Sequence, residues 1–274
     1  MYIDSHAHLF YEDFGGEIPE VIQRAEDVGI DNIVVPGTTF DTSKAAVELA
    51  DRYPMVYACV GFHPHEASSA TDEILADLES LASHPKVVAI GEIGLDYHYD
   101  FSPRSNQLAI FKKQIEIAVR RNLPIVVHTR DSMSDAIESV RELCSLNRGW
   151  KSSGKESKRG VFHCFTGSPQ QANDIFDLGF FVSYPGIVTF KNSPVVNTLK
   201  TIGHQKILLE TDSPYLAPAP LRGKRNEPAN VVFTAKKIAE ILEIDLGELA
   251  RVTTQNAESL FNIKKSVHQS VGEA

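Results

Sequence analysis

The stretch IDSHAHLF, residues 3–10, places His6 and His8 two positions apart at the end of a short apolar run. Side chains of a strand alternate between its two faces, so residues i and i+2 project together. Two imidazoles on one face can converge on a single object; the alternative is a pair of polar residues where a strand meets solvent. What separates the two readings is whether later strands end on similar groups. The same question decides the fold, because ligands on the first and the last strand of a sheet have a reason to meet only if that sheet closes.

Working outward, one pattern recurs along the 274 residues. Apolar, β-branched runs read as strands over 2–8, 32–38, 56–64, 87–94, 124–130, 160–165, 180–186 and 206–214. Helices are expected near 18–28, 42–52, 70–83, 104–121, 132–145, 169–178, 194–202 and 229–243. Strict alternation of this kind implies an α/β protein, a parallel sheet with helices outside it. Eight units with no break in composition predict a single-domain (β/α)8 TIM barrel over residues 1–262. A doubly wound open sheet is the runner-up. A further C-terminal helix, 245–261, is expected to cover the outside, and 263–274 to be a flexible tail. The Lys-, Ser- and Gly-rich stretch LNRGWKSSGKESKRG, residues 146–160, reads as a solvated insertion on the bottom face, because it joins a helix to the next strand.

On this reading Glu92 closes the fourth strand, His128 the fifth, His163 the sixth and Asp212 the eighth. In such barrels the C-terminal strand ends and their βα loops form the active face. His6, His8, Glu92, His128, His163 and Asp212 then surround one cavity. Imidazoles suit zinc and similar ions, and carboxylates can bridge metals or accept protons. Four imidazoles and two carboxylates exceed what one tetrahedral ion needs, so two divalent metals are expected, with Glu92 between them. Zinc is expected as the bound ion, and magnesium or manganese as alternatives in activity. His63, in GFHPH, ends the third strand on the same face, either as a phosphate or leaving-group contact that donates a proton or as a hydrogen-bonded loop residue.

Other features bound the function. The composition, 42% hydrophobic and 23% charged, is that of an ordinary globular protein. A formal net charge of −9 argues against a broad grip on nucleic acid, which needs many cations at phosphates. It leaves room for an acidic substrate held through bound metal. Cys59, Cys144 and Cys164 cannot all pair and show no CxxC spacing, which points to a reducing cytoplasm. Cys164 adjoins His163 and is expected to face the helices; a buried, inert thiol is expected there and at Cys59. No basic-then-apolar leader is visible, and no apolar run approaches the roughly 18 residues of a membrane span, so no membrane partner is expected. In PLRGKRNEP, Arg222, Lys224 and Arg225 follow the eighth strand, where barrels often bind phosphate, or form an exposed loop. Tyr97 and Tyr99 either stack a terminal base or cap the barrel.

Together, IDSHAHL, GFHPH, GEIGLDY, PIVVHTRD, FHCFTG and ETDSPYLAP resemble the TatD family of metal-dependent deoxyribonucleases, a branch of the amidohydrolase-like barrels, over about residues 2–262. The resemblance implies a TIM barrel, a two-metal site and hydrolysis of phosphodiester bonds in DNA. It implies that His6 and His8 hold one metal, that Asp212 completes its shell, and that His128 and His163 hold the other, with Glu92 shared. The expected function is then an exonuclease acting on DNA ends or small nucleic-acid fragments, with Asp212 and His63 as its catalytic residues. The alternatives are a related barrel hydrolase acting on small phosphoesters, amides or lactones, and a metal-binding protein without turnover.

Overall fold

In the computed structural model, which describes residues 1–153 and 156–263, eight parallel strands run in sequence order. They are β1 (Tyr2–Asp4), β2 (Ile30–Pro36), β3 (Val56–Val60), β4 (Val87–Asp96), β5 (Ile125–Arg130), β6 (Gly160–Phe162), β7 (Phe180–Tyr184) and β8 (Ile207–Leu209). Each consecutive pair forms a parallel ladder. The ring closes between β8 and β1: Ser5 N donates to Leu209 O at 3.0 Å, Asp212 N to His6 O at 2.9 Å and His8 N to Ser213 O at 2.8 Å. The sheet is therefore a (β/α)8 barrel and not an open doubly wound sheet.

The helices are α1 (Ile18–Asp27), α2 (Phe40–Arg52), α3 (Asp72–Leu81), α4 (Arg104–Arg121), α5 (Met133–Leu146), α6 (Pro169–Asp177), α7 (Val195–Ile202), α8 (Val231–Leu242) and α9 (Leu246–Phe261). Their starts follow local capping chemistry. Thr39 with Thr42 and Ser168 with Gln171 form capping boxes, satisfying backbone donors that the first turn leaves free. Asp245 caps α9 by accepting from Glu248 N.

Burial sorts the strand residues into two layers. Ile3, Val34, Cys59, Val88, Val126, Val161 and Leu208, with Phe181 against them, form one cluster that every strand feeds. Their neighbours, such as Ile33 and Val35 or Ile125 and Val127, pack in a second cluster that contains the inner faces of the helices. The first cluster is thus the barrel interior, and Ala257, Leu260, Phe261 and Ile263 complete it.

That membership corrects the expected place of the last helix. α9 does not lie over the outside; it plugs the bottom of the barrel. Thr254 Oγ1 donates to Met1 O, and Asn256 Nδ2 donates to Gln205 O and Ile207 O, all at the N-terminal ends of β1 and β8. The physical reason is that the lower interior is apolar and needs a lid of Leu and Phe. Of the expected tail, Ile263 is buried and the remainder lies outside the described residues.

The 146–160 stretch does lie at the bottom, but it is not merely solvated. Trp150 is buried against Phe180, and its Nε1 donates to Leu123 O at 2.8 Å. Arg159 donates to Trp150 O and Leu178 O, and the backbone of Ser152–Ser153 pairs antiparallel with Glu156–Ser157. The surrounding Lys, Ser and Gly residues hide this anchor from a composition-based reading.

Candidate metal centre

The centre grows out of the interior columns of the barrel. Two residues beyond Val126 on the same face stands His128; two beyond Val161 stands His163; and beyond Leu208 come Glu210 and then Asp212. Cys59, Gly61 and His63 continue the column of β3 in the same way.

Two positions need more than alternation. β1 ends at Asp4, the chain bends at Ser5, and it rejoins the sheet at Ala7, through a bridge to Ser213 and a bond from Ala7 N to Val34 O. His6 and His8 flank that bridge and so still share a face. Glu92 does not close its strand; β4 runs on to Asp96. Between Ile90, opposite Ile125, and Ile93, opposite Val127, β4 carries one extra residue. Such a bulge re-aims a side chain, and here Gly91 and Glu92 form it. Gly94 allows the two strands to touch beyond the bulge: its φ is 145°, and an added Cβ would come within 2.1 Å of His128 O.

Glu92 is the hub. Its Oε2 lies 3.3 Å from His6 Nε2 and 3.5 Å from His8 Nε2. Its Oε1 lies 2.8 Å from His163 Nε2, 2.9 Å from His128 Nδ1 and 3.7 Å from His63 Nε2. Asp212 Oδ1 approaches His8 Nε2 at 3.6 Å and His6 Nε2 at 3.8 Å. The structure thus brings together all six expected ligands and His63. Side-chain exposure rises from 0% at His6 to 14% at Asp212 and 18% at His128, so the centre is more open to solvent at the latter two.

This donor set fits a divalent cation. His6 and His8 bring their Nε2 atoms to 3.2 Å of each other, and both nitrogens face the same carboxylate oxygen, Glu92 Oε2. Converging imidazoles and carboxylates match the preferences of zinc-like ions. Among the described residues, three groups are close enough to share an ion: His6, His8 and Asp212; His6, Glu92 and His163; and His63, Glu92 and His128.

The electrostatics keep both carboxylates ionised. Burial works against the charge of Glu92, but His163 and His6 outweigh it and hold the carboxyl well below its usual range. For Asp212 burial is again opposed, here by the hydrogen bond with His8 and by His6 and His163, with a net lowering. Burial pushes His6 down to about 4, so it is a neutral nitrogen donor at neutral pH.

Several residues escaped the sequence reading. Asp96 is buried, and its Oδ2 meets His65 Nε2 at 2.9 Å and His128 Nε2 at 3.2 Å. It lies four residues after Glu92, and that even spacing was the available signal. Glu210, two before Asp212, accepts from Ser183 Oγ at 2.6 Å and from Cys164 N at 2.7 Å behind His163. Tyr11 stacks on His8 with ring centroids 5.2 Å apart.

Other expected positions sit apart from the hub. Tyr97 donates its hydroxyl to Asp135, Arg222 stacks on Phe190, Lys224 is exposed, and Arg225 is held by Asp13 O and the Glu17 carboxylate. Cys164 does not turn to the helices. Its φ of 47° takes it out of the strand path, and burial, together with Asp212 and Glu210, raises its thiol well above the ordinary value. Cys59 is buried as expected, and its place is the barrel interior.

A profile of the TatD related DNase family matches residues 3–262. The chain is 42% identical to the uncharacterized metal-dependent hydrolase YabD of Bacillus subtilis, covering 96% of this chain and 100% of YabD. It is 32% identical to the 3'-5' ssDNA/RNA exonuclease TatD of Edwardsiella piscicida, covering 95% of this chain and 99% of that protein. The crystal structure of YjjV, a TatD homologue from Escherichia coli, superposes with a TM-score of 0.87 at 28% identity, over 96% and 98% of the two chains. Barrel, centre and likeness agree, and the chain belongs to the TatD-related DNase family of metal-dependent hydrolases.

Proposed function

We propose that this hydrolase holds two divalent metals and cleaves phosphodiester bonds at the ends of DNA strands. The observation that carries the reading is the division of Glu92: one carboxylate oxygen faces His6 and His8, the other His128 and His163. A carboxylate so placed suits a bridging role, with Asp212 joining His6 and His8 at the first ion. Bound divalent ions would acidify a water and offset charge on the phosphoryl oxygens.

The residues of the chain supply the rest. Asp212, ionised and partly open to solvent, orients the attacking water and takes its proton. His63 accepts from His65 N through Nδ1, which leaves its proton on Nε2, the nitrogen that faces the centre. It is therefore set to donate a hydrogen bond to the leaving oxygen. Arg222 and Tyr97, on the loops after β8 and β4, are the proposed substrate contacts at the rim. A mouth set inside a barrel rim favours a strand end over continuous duplex. The name of the Edwardsiella piscicida relative agrees with that preference.

The proposal extends to a reducing cytoplasm, supported by three cysteines that all remain unpaired. Among the described residues no helix is long and apolar enough to cross a membrane.

The test is to strip the purified protein of metal, restore zinc, magnesium or manganese singly, and offer end-labelled single strands, duplexes, small phosphoesters and a lactone side by side. Metal-restored shortening of strands from their ends is expected. Turnover of the lactone with intact strands would overturn the reading.

A further inference from the structure

Among the described residues, the large hydrophobic side chains left exposed are Met1, Val28, Tyr99, Phe101, Leu146 and Tyr215. The three that carry aromatic rings all lie on βα loops at the mouth, Tyr99 and Phe101 after β4 and Tyr215 after β8. They stand on opposite sides of Glu92. Phe101, 66% exposed, packs on His65 with centroids 4.8 Å apart, and His65 is joined through Asp96 to His128, on the Oε1 side. Tyr99 lies 5.4 Å from Phe101 and carries the Arg130 guanidinium at 4.8 Å from its ring. Tyr215, 54% exposed, meets Tyr11, which stacks on His8 on the Oε2 side.

We infer that Phe101 with Tyr99, and Tyr215 opposite, are two base-stacking platforms that hold the unpaired nucleobases on either side of the scissile phosphate. This rests on the nuclease reading and adds to it the residues that grip the strand. An apolar ring left in water gains by covering a base, and stacking tolerates any sequence because every base has a π-face. Arg130 adds a cation beside one platform, where the phosphate backbone needs charge compensation in an otherwise acidic protein. Splayed bases on two sides of a metal centre require a single strand or a frayed end.

The test compares the metal-loaded parent with Phe101→Ala and Tyr215→Ala. Each is assayed on a short single strand carrying all its bases and on one made abasic at the two nucleotides flanking the cleaved bond. The parent should favour the base-bearing strand by about tenfold or more in kcat/KM, mostly through KM. Each alanine variant should lose a large part of that discrimination, and Phe101→Trp, which keeps a ring, should retain it. A parent that cleaves both strands equally, or alanine variants that discriminate as the parent does, would overturn the platforms and leave the nuclease reading standing. A parent inactive on every strand would overturn that reading itself.

Discussion

Asp96→Asn isolates the part of the centre that sequence reading missed. The carboxylate of Asp96 is fully used: Oδ2 faces His65 Nε2 at 2.9 Å and His128 Nε2 at 3.2 Å, while Oδ1 accepts His98 N at 3.0 Å and Tyr99 N at 3.3 Å. Every one of those neighbours needs an acceptor if His128 is to present an unprotonated Nδ1 to the centre. Asparagine has one carbonyl oxygen and one amide group, so in either orientation a donor faces donors. If the amide turns to the imidazoles, His128 loses the bond that fixes its tautomer. If it turns to the backbone, the turn at His98 and Tyr99 opens. Hydrogen bonds to a charged group contribute about 1.5–3 kcal/mol, and partners that orient a metal-binding histidine are worth roughly 10–100-fold in affinity or activity. The expected outcome is a 10–100-fold weaker ion on the His128 side. The ion near His6, His8 and Asp212, which Asp96 does not touch, should keep its affinity. Titration of the metal-free protein against a chelator of known affinity, with occupancy counted per chain, separates the two. Unchanged affinity at every site together with unchanged turnover would refute the reasoning; so would equal weakening of all bound metal.

Glu92→Gln keeps the size of the hub and removes its charge, so metal analysis should show loss of one ion and an assay the loss of most activity. Asp212→Asn should lower the single-turnover cleavage rate about 10²–10⁴-fold, with DNA binding measured on the same preparation near that of the parent. Cleavage within a few-fold of the parent would show that Asp212 does not take the proton. Trp150→Ala removes a buried anchor at the end opposite the centre. Urea unfolding should show a loss of roughly 3–5 kcal/mol, while turnover per folded molecule changes little. A loss of turnover without a loss of stability would contradict the bottom-face placement.

Alternation made much of this protein legible before any coordinates. The period of apolar runs and the helix starts at Thr39, Ser168 and Asp245 are local signals, so helix boundaries agree with the structure to within about two residues. Strand ends agree less well. β1, β6 and β8 stop at Asp4, Phe162 and Leu209, before the polar residues that the apolar pattern had absorbed. Beyond those points the backbone leaves the ladder to build the mouth, and ladder pairing is a property of two strands together.

Local sequence determined that eight βα units would form and that six groups able to bind metal would sit near their ends. Chemistry and spacing were enough for that. Only the closed barrel decided the rest. The bulge at Gly91 and Glu92 exists because β4 must pair with β5 while turning a carboxylate inward. The role of Asp96 exists because His65 and His128, remote in sequence, arrive on either side of it. α9 plugs the bottom, and Trp150 leaves its polar surroundings, because apolar surface at that end had to be covered. Each of these depends on residues from different elements meeting in space, and a pattern read along one chain segment carries no record of its partner.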